Sequence, residues 1–302
     1  MDVVIPVEHD PNLYRYKGFC FLRINKKEYI DSLQEFKIRD DDVFLVTYPK
    51  SGTIWTKNIL SLIYSEGHRT GTENIDTEDR VPSIEFNFTN LDFDSCPSPR
   101  LFSTHLSYSL VPQELRKKKG KVIYVMRNPK DVMTSLYHFQ NIVIIMNKAP
   151  DFETLMQRFS DGDVFAGTWF DHVQGWYTHN EDFNILHIKY EDMIMDLRSV
   201  VKKMCTFLGK ELDEDSLDIV VKNATFKEMK KDPRANKENL PEDVFEKNKG
   251  EFMRKGTIGD WKNHMTVAQR FDKLFHEKMK DLPITFTWDN PKKSDQIDEK
   301  SS

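Results

Sequence analysis

The chain has 302 residues, of which 38% are hydrophobic and 31% are charged, and its formal net charge at pH 7 is −5. This length suffices for one large α/β domain, and no linker rich in proline, glycine and serine divides the chain. Acidic and basic residues are mixed, which argues against a general binder of nucleic acids or membrane surfaces. Any site for an anion must therefore be local.

Cysteine spacing and hydropathy exclude further classes of protein. Cys20, Cys96 and Cys205 are far apart and show no CxxC spacing. The first residues have neither the basic nor the apolar region of a secretory signal, and no apolar stretch reaches the ~20 residues that a membrane span needs. We therefore expect a reduced, cytoplasmic protein without a membrane anchor. The sequence has no HExxH motif and no cluster of cysteine and histidine, so a tightly held metal is not expected.

The first elements in chain order are an arm and a short helix. Residues 1–25 place aromatic side chains among polar ones, and we interpret them as an irregular arm that packs on the domain or helps to wall a pocket. Residues 26–36 keep the apolar spacing of a short amphipathic helix.

The stretch from Asp42 to Trp55 organises the rest of the chain. An apolar run of strand length ends at a Tyr-Pro pair, a Ser-Gly-Thr turn follows, and helical spacing then continues to about residue 66. Such a unit points backbone N–H groups and the positive end of a helix dipole at one place, beside Lys50. The unit predicts an anion site that is not a Walker A loop, because only one glycine is present and it follows the lysine. An ordinary turn with an exposed lysine is the alternative.

Three more apolar runs, at 101–104, 121–126 and 183–189, alternate with helical patterns and predict a parallel sheet with right-handed crossovers. The second strand of this sheet ends at His105 and the third at Arg127, where open α/β sheets bind their ligands. Asp192 follows the fourth strand and is the best candidate for a metal-binding carboxylate. We interpret it instead as the cap of the next helix.

The pattern is lost from residue 230 to 259, which predicts a functional or a disordered loop. Arg254 and Lys255 concentrate positive charge there beside Gly256. A helix over 267–279 then closes the domain. We predict one domain over residues 1–288 and a disordered polar tail over 289–302.

The charges at the ends of these elements indicate the kind of ligand. A P-loop NTPase places a Mg²⁺-binding aspartate at the end of a neighbouring strand, whereas this chain has Arg127. An arginine there repels a metal and attracts a second anion. Together with Arg254 and Lys255, it predicts two separated anionic groups on one ligand, held by cations and backbone amides.

Six segments, in this order along the chain, resemble the cytosolic sulfotransferase family. They are Tyr-Pro-Lys-Ser-Gly-Thr-Ile-Trp at 48–55, Thr-His-Leu at 104–106, Arg-Asn-Pro-Lys-Asp at 127–131 with Ser135, Tyr-Glu-Asp at 190–192, Phe-Lys-Glu-Met at 226–229 and Arg-Lys-Gly-Thr-Ile-Gly-Asp-Trp at 254–261. The resemblance covers about residues 15–290, and the amine-sulfonating branch is the suggested closer match.

The resemblance implies a single α/β domain around a five-stranded parallel sheet, with a P-loop-like loop for a phosphosulfate. It implies transfer of a sulfonate from 3′-phosphoadenosine 5′-phosphosulfate (PAPS) to a hydroxyl or amine of a small, largely apolar acceptor, with no metal. Phenols, alcohols, steroid-like molecules and aryl amines are candidate acceptors. A non-catalytic nucleotide-binding or scaffold protein and a P-loop kinase are the alternatives.

The resemblance also assigns residues to the donor. The 5′ end would lie against Lys50, Ser51, Gly52, Thr53, Ile54 and Trp55, and the 3′-phosphate against Arg127, Ser135, Arg254, Lys255 and Gly256. Trp55 and Phe226 would enclose the adenine near Tyr190. Ala224, Met229 and Met253 complete this side, with only the backbone of Ala224 available.

His105 matches the general base of the family, since an imidazole with a pKa near neutrality can accept the proton of the attacking group. Lys50 would stabilise the charge that grows on the leaving phosphate. His138 is a rival to His105 from the residues alone. An apolar acceptor pocket is predicted from Phe19, Phe21, Phe86, His138 and Phe139.

The sequence departs from the family pattern at several positions. Ser103 replaces a lysine that often precedes the Thr-His pair, which would remove a cation near the sulfonate. Ser107 replaces a frequent proline. The family's dimer segment begins at Lys262 but ends at Phe271 where the pattern has glutamate, so the homodimer that the resemblance implies is put in doubt.

Overall fold

A computed structural model of the chain describes residues 3–68, 74–88, 90–237, 244–265 and 268–290. The strands in this part are β1 (Ile5–Val7), β2 (Asp10–Tyr16), β3 (Phe19–Leu22), β4 (Val43–Thr47), β5 (Leu101–Thr104), β6 (Lys121–Met126) and β7 (Ile185–Lys189). The helices are α1 (Lys27–Ser32), α2 (Thr53–Ile63), α3 (Thr77–Arg80), α4 (Pro129–Gln140), α5 (Phe152–Asp161), α6 (Trp169–Thr178), α7 (Tyr190–Met195), α8 (Leu197–Leu208), α9 (Glu214–Asn223), α10 (Phe226–Lys231) and α11 (Ala268–Met279).

The central sheet is parallel and has the strand order β5-β4-β6-β7. The α/β class and the parallel sheet are therefore confirmed. Within the described residues the sheet has four strands, not the five that the resemblance implied. A parallel strand covered on both faces needs a continuous apolar run, and these four strands are the four such runs in the sequence.

Both faces of this sheet are buried against helices. Along β4, Phe44 and Val46 join one hydrophobic core, whereas Val43 and Leu45 join the other, because successive side chains of a strand point to opposite faces. Helices α2, α8 and α9 cover the face of Leu45, and α4, α5 and α6 cover the face of Phe44. The chain is thus a three-layer unit whose strand ends on one edge lie between the two helical layers.

The N-terminal residues are more regular than predicted. They form a three-stranded antiparallel sheet, β1-β2-β3, in which Tyr14 pairs with Phe21 and Arg15 with Cys20. Apolar residues are adjacent in both β2 and β3 and do not alternate strictly with polar ones, so the period of two that predicts a half-buried strand is absent and the segment was interpreted as an irregular arm.

Helix ends follow the local sequence in most places. The side chain of Asn128 accepts a hydrogen bond from the N–H of Asp131, with Pro129 at the first helical position of α4. The cap predicted at Asp192 is wrong. Asp192 lies in the first turn of α7, and Asp196 caps α8 by accepting from the N–H of Ser199.

The end of the chain lies partly outside the described residues. The predicted tail begins at residue 289, yet Asp289 forms an ion pair with Lys262 at 2.7 Å, and nothing is described beyond residue 290. Thr266 and Val267 of the dimer segment also fall outside, whereas Phe271 is 1% exposed and belongs to the core. Among the described helices, none is long and apolar enough to cross a membrane.

Candidate active site

One cavity of about 550 Å³ lies at the carboxyl ends of β4, β5 and β6. Seventeen residues that the sequence predicted for the site line it: Lys50, Gly52, Thr53, Ile54, Trp55, Phe86, His105, Arg127, Ser135, Phe139, Tyr190, Phe226, Met229, Met253, Arg254, Lys255 and Gly256. The fold thus brings together side chains that are up to about 200 positions apart in the sequence, on the edge where parallel sheets bind ligands.

The loop between β4 and α2 is shaped by Gly52. Its φ is 103°, and a Cβ there would lie 2.8 Å from the Cδ2 atom of Tyr190. A side chain is therefore excluded by the backbone conformation and by the neighbouring ring. With Gly52 as the residue before α2, the free N–H groups of the first helical turn face the cavity, which suits an anion.

Lys50 is the cation nearest to this loop. Its Nζ atom lies 3.6 Å from the ring centroid of Phe139 and 4.7 Å from that of Phe252. Burial, with the charges of Arg127 and Arg254 acting in the same direction, lowers the pKa of Lys50 to about 7. An anionic ligand would favour the charged form of Lys50 and raise its pKa, because it would supply the negative charge that this group of cations lacks.

Arg127 is held in place by backbone carbonyls. Its Nη1 and Nη2 atoms donate to the carbonyls of Lys50 and Thr257, at 3.1 and 3.2 Å, and the guanidinium lies 4.1 Å from the ring centroid of Tyr190. Its buried Nε atom has no hydrogen-bond partner among the described residues. A rigid guanidinium with a spare donor is suited to a phosphate group.

Two more cations come from the irregular segment after α10. Arg254 and Lys255 both form ion pairs with Asp260, at 2.5 and 2.6 Å. Burial acts to raise the pKa of Asp260, but hydrogen bonds from Lys255, Asn263 and Arg254 outweigh it and hold that pKa well below its usual value. One carboxylate thus orients both cations and leaves this group with net positive charge.

Aromatic residues form the wall beside these cations. The indole Nε1 of Trp55 donates to the carbonyl of Ala224 at 2.7 Å, and its ring meets the ring of Tyr190 edge-on at 5.3 Å. At Gly256 a Cβ would lie 2.4 Å from the Cδ2 atom of Phe226. The wall is therefore fixed by close contacts, and the backbone oxygen of Ala224 is already used to position Trp55.

His105 lies beside Thr47, where the loop between β4 and α2 begins. Its Nδ1 atom is 2.8 Å from the carbonyl oxygen of Thr47, so Nδ1 carries the hydrogen and Nε2 is left as the acceptor. Burial lowers the pKa of His105 to about 4, against the opposing effect of this hydrogen bond. The imidazole is therefore neutral at physiological pH, with the lone pair of Nε2 available to take a proton.

A buried carboxyl group supports the backbone of His105. Glu85 accepts a hydrogen bond from the N–H of His105 at 2.6 Å through Oε1, and its Oε2 atom has no partner among the described residues. Burial raises the pKa of Glu85 to about 7. Sequence patterns did not indicate this residue, because the contact joins segments 20 positions apart.

Five predicted site residues lie behind the cavity wall. Ser51 is fully buried, and Ala224 contacts the site only through Trp55. The acceptor-pocket prediction does not match the positions of Phe19 and Phe21, which are 2% and 0% exposed and pack in the core, since β3 is covered on both faces. His138 does not line the cavity, and its Nε2 lies 3.2 Å from Nε2 of His264.

The cavity also has charged residues that the sequence analysis missed. Lys57 is 1% exposed and donates to Glu78 at 2.6 Å and to Ser83 at 3.2 Å. Ser83 is in turn hydrogen-bonded to Ser103 at 2.9 Å. A cation therefore lies two hydrogen bonds away from the position where Ser103 replaces a lysine. A lysine among the apolar residues of α2 was the signal that could have indicated it.

The comparisons with known proteins agree with this site. The family model described as "Sulfotransferase domain" matches residues 40–283. The amine sulfotransferase of Oryctolagus cuniculus is 51% identical over 282 residues, which are 92% of this chain and 94% of the relative. The Homo sapiens protein named Sulfotransferase 2A1 is 42% identical over 258 residues, covering 84% and 90%.

Solved structures point to the same family. The crystal structure of mouse sulfotransferase SULT7A1 complexed with PAP has a TM-score of 0.74 at 32% identity and covers 90% of this chain and 96% of that one. Retinol dehydratase in complex with androsterone and PAP has a TM-score of 0.80 at 22% identity over 91% of each chain, which shows the shared fold. The chain therefore belongs to the sulfotransferase family, and it is an enzyme of that family and not a kinase or a non-catalytic scaffold.

Proposed function

We propose that this PAPS-dependent sulfotransferase moves the sulfonate to an amine or hydroxyl group of an apolar acceptor, with His105 as the general base. The tautomer of His105 carries this proposal. Because the carbonyl of Thr47 takes the Nδ1 hydrogen at 2.8 Å, the free Nε2 atom can accept the proton of the attacking group. The neutral state that burial imposes on the ring suits the same role.

Lys50 and the loop after it are proposed to bind the phosphosulfate end of the donor. Lys50 would stabilise negative charge on the oxygen that bridges phosphorus and sulfur as the sulfonate leaves. The N–H groups at the start of α2 would bind the remaining oxygens, in a loop where Gly52 leaves room for close approach.

The 3′-phosphate is proposed to lie against Arg127, Arg254 and Lys255, with Ser135 on the same wall. These cations line one cavity with Lys50, so a single ligand with two anionic groups can contact all of them. Trp55, Tyr190 and Phe226 would pack against the adenine. Met229 and Met253 also line this side of the cavity.

The acceptor is proposed to occupy the apolar part of the cavity near His105. The ring of Phe165 meets the imidazole of His105 edge-on at 5.8 Å between centroids, and it also lies tilted against the ring of Phe86 at 5.6 Å. The base is therefore next to a pair of packed aromatic rings. Phe139 lines the same cavity and contacts Lys50. An aryl amine or a phenol fits such a wall, and the rabbit relative is named for transfer to amines.

The cellular setting and the assembly of the protein are parts of the same proposal. Cys20, Cys96 and Cys205 are free thiols, which suits the reducing cytoplasm. A homodimer is also part of the proposal, and Phe271 is buried where the dimer pattern has glutamate, so this position would not contribute to the dimer surface.

Replacement of His105 tests the proposal. We expect His105→Ala to lower transfer from labelled PAPS by about 10²- to 10⁴-fold for amine and phenol acceptors, since a general base contributes that much. Binding of adenosine 3′,5′-bisphosphate should remain nearly unchanged, because His105 is proposed to contact only the acceptor side. His276→Ala, at an exposed position of α11, is the matched control. Normal turnover in His105→Ala would remove His105 from the mechanism.

A further inference from the structure

Two histidines and an aspartate converge beside α4, and the aspartate, Asp260, also lines the cavity. The Nε2 atoms of His138 and His264 are 3.2 Å apart, and Nε2 of His264 is 3.8 Å from Oδ2 of Asp260. One ligand atom from each residue lies within 4.8 Å of the other two. His138 comes from α4, whereas Asp260 and His264 come from the segment that follows the donor-side cations, so the fold and not the sequence spacing assembles this group.

The separation of the two nitrogens matches a metal site. Two imidazole nitrogens bound to one tetrahedral zinc ion at about 2.0–2.1 Å lie roughly 3.3 Å apart. In the absence of an ion, two facing Nε2 atoms can share only one hydrogen. Two imidazoles and a carboxylate are a ligand set that zinc and similar ions accept, with a further position open to water.

Asp260 is held in a way that presents one oxygen to this position. Its Oδ1 atom accepts hydrogen bonds from Lys255 at 2.6 Å and from Asn263 at 2.9 Å, whereas Oδ2 faces His264 and accepts from Arg254 at 2.5 Å. The hydrogen bonds to Oδ1 fix the orientation of the carboxylate, as residues that hydrogen-bond to a metal ligand do in metal sites. Among the described residues, Arg254 is the hydrogen-bond donor that competes with a metal ion for Oδ2.

Positive charge close to these ligands acts against a metal ion. Arg254 and Lys255 both form ion pairs with Asp260, and their charges repel a cation. An anion bound to these two side chains would reduce that repulsion. The two imidazoles bind a metal ion only in their neutral form.

We infer that His138, Asp260 and His264 form a binding site for zinc or a similar transition-metal ion, which is strengthened when a phosphate group occupies Arg254 and Lys255. The second half of this inference rests on the proposed donor site. The ion takes no part in sulfonate transfer. It joins α4 to the segment that carries the donor-side cations, and by linkage it tightens binding of the nucleotide.

Competition with a chromogenic zinc chelator tests the site on the full-length protein. We expect one zinc ion per chain in the wild type, and at least a tenfold loss of zinc affinity in both His138→Gln and His264→Gln. His276→Gln, at an exposed histidine on α11, should keep the wild-type affinity. Thermal melting of each variant without metal checks that it is folded.

The same titration with saturating adenosine 3′,5′-bisphosphate tests the coupling, with the two glutamine variants measured under identical conditions. Zinc affinity of the wild type should rise several-fold when the nucleotide is bound. No stoichiometric zinc binding to the wild type, or zinc binding that both substitutions leave unchanged, would overturn the site. Equal zinc affinity with and without nucleotide would overturn the coupling. Nucleotide binding in EDTA is measured separately, so a failed donor site can be distinguished from a failed metal site.

Discussion

Lys50 lies between two aromatic rings and near two arginines, and this environment lowers its pKa to about 7 in the free protein. A bound anion would favour the charged form and raise the pKa again. The lysine is already protonated below pH 7. Above pH 7 the free protein must take up a proton when the nucleotide binds.

We therefore expect the affinity for adenosine 3′,5′-bisphosphate to fall as the pH rises from about 7.5 to 9, where the phosphates of the nucleotide no longer titrate. Calorimetry at pH 8 in two buffers with different ionisation enthalpies should show an uptake approaching one proton. Lys50→Met should bind more weakly and show little uptake. The account of Lys50 fails if the wild type takes up no proton at pH 8.

At the scale of residues, sequence reasoning found the polar side chains of the site better than the apolar ones. Lys50, His105 and Arg127 each follow the end of a strand, and the short apolar run of that strand can be recognised in the sequence. Phe165 and Phe252 line the cavity but were not predicted, and Phe19 was predicted for the pocket but lies in the core. The sequence pattern around an aromatic residue does not show whether its side chain faces a cavity or the core. Only the tertiary packing distinguishes these two cases.

The strand-loop-helix element around Gly52 makes its own prediction. Gly52→Ala should lower the affinity for adenosine 3′,5′-bisphosphate by at least tenfold and destabilise the fold by about 1–2 kcal/mol, since alanine is strained at positive φ. The added Cβ also approaches the ring of Tyr190 to 2.8 Å.

Gly175→Ala in α6 is the matched control, because its Cβ would meet only Tyr108, at 3.6 Å. This change should leave binding intact and stabilise the protein by roughly 0.5–1 kcal/mol, as alanine does within helices. Unfolding in urea and calorimetry measure both effects. Equal nucleotide affinity in the two variants would contradict the role of Gly52.

A buried ion pair aligns the starts of β4 and β5. Asp42 is 0% exposed and Arg100 is 1% exposed by side chain, and they meet at 2.5 Å with a second hydrogen bond at 2.8 Å. Asp42→Asn leaves the guanidinium buried without its counter-charge, which should cost about 3–5 kcal/mol of stability.

Asp94→Asn is the comparison for this pair. Asp94 also approaches Arg100, at 3.5 Å, but its side chain is 79% exposed, so its removal should change stability by less than about 0.5 kcal/mol. Urea denaturation of both variants tests the difference. Similar midpoints would show that the buried pair does not stabilise the sheet.

At the scale of elements, the strands of the parallel sheet were predictable because each contains a short apolar run, and the central strands β4 and β6 are buried on both faces. The N-terminal antiparallel sheet was not recognised, because β2 and β3 are short and neither shows a strict alternation of polar and apolar residues. The cap of α8 was placed at Asp192 instead of Asp196 because the sequence does not reveal that a separate helix, α7, intervenes.

At the scale of the whole molecule, one cavity collects cations from distant parts of the chain. Lys50 and the start of α2 line it together with Arg127, Arg254 and Lys255. Sequence reasoning inferred two anionic groups from the strand ends and the late basic segment. It could not give the ion pairs of Asp260 or the network of Lys57, since these contacts depend on how distant segments pack.

Calorimetry with adenosine 3′,5′-bisphosphate in the presence of EDTA tests this arrangement most directly. We predict one binding site per chain without any divalent metal, and at least a tenfold lower affinity in Arg254→Ala, because hydrogen bonds between charged groups contribute about 1.5–3 kcal/mol. Absence of binding heat in EDTA, or binding that appears only after magnesium is added, would contradict the account.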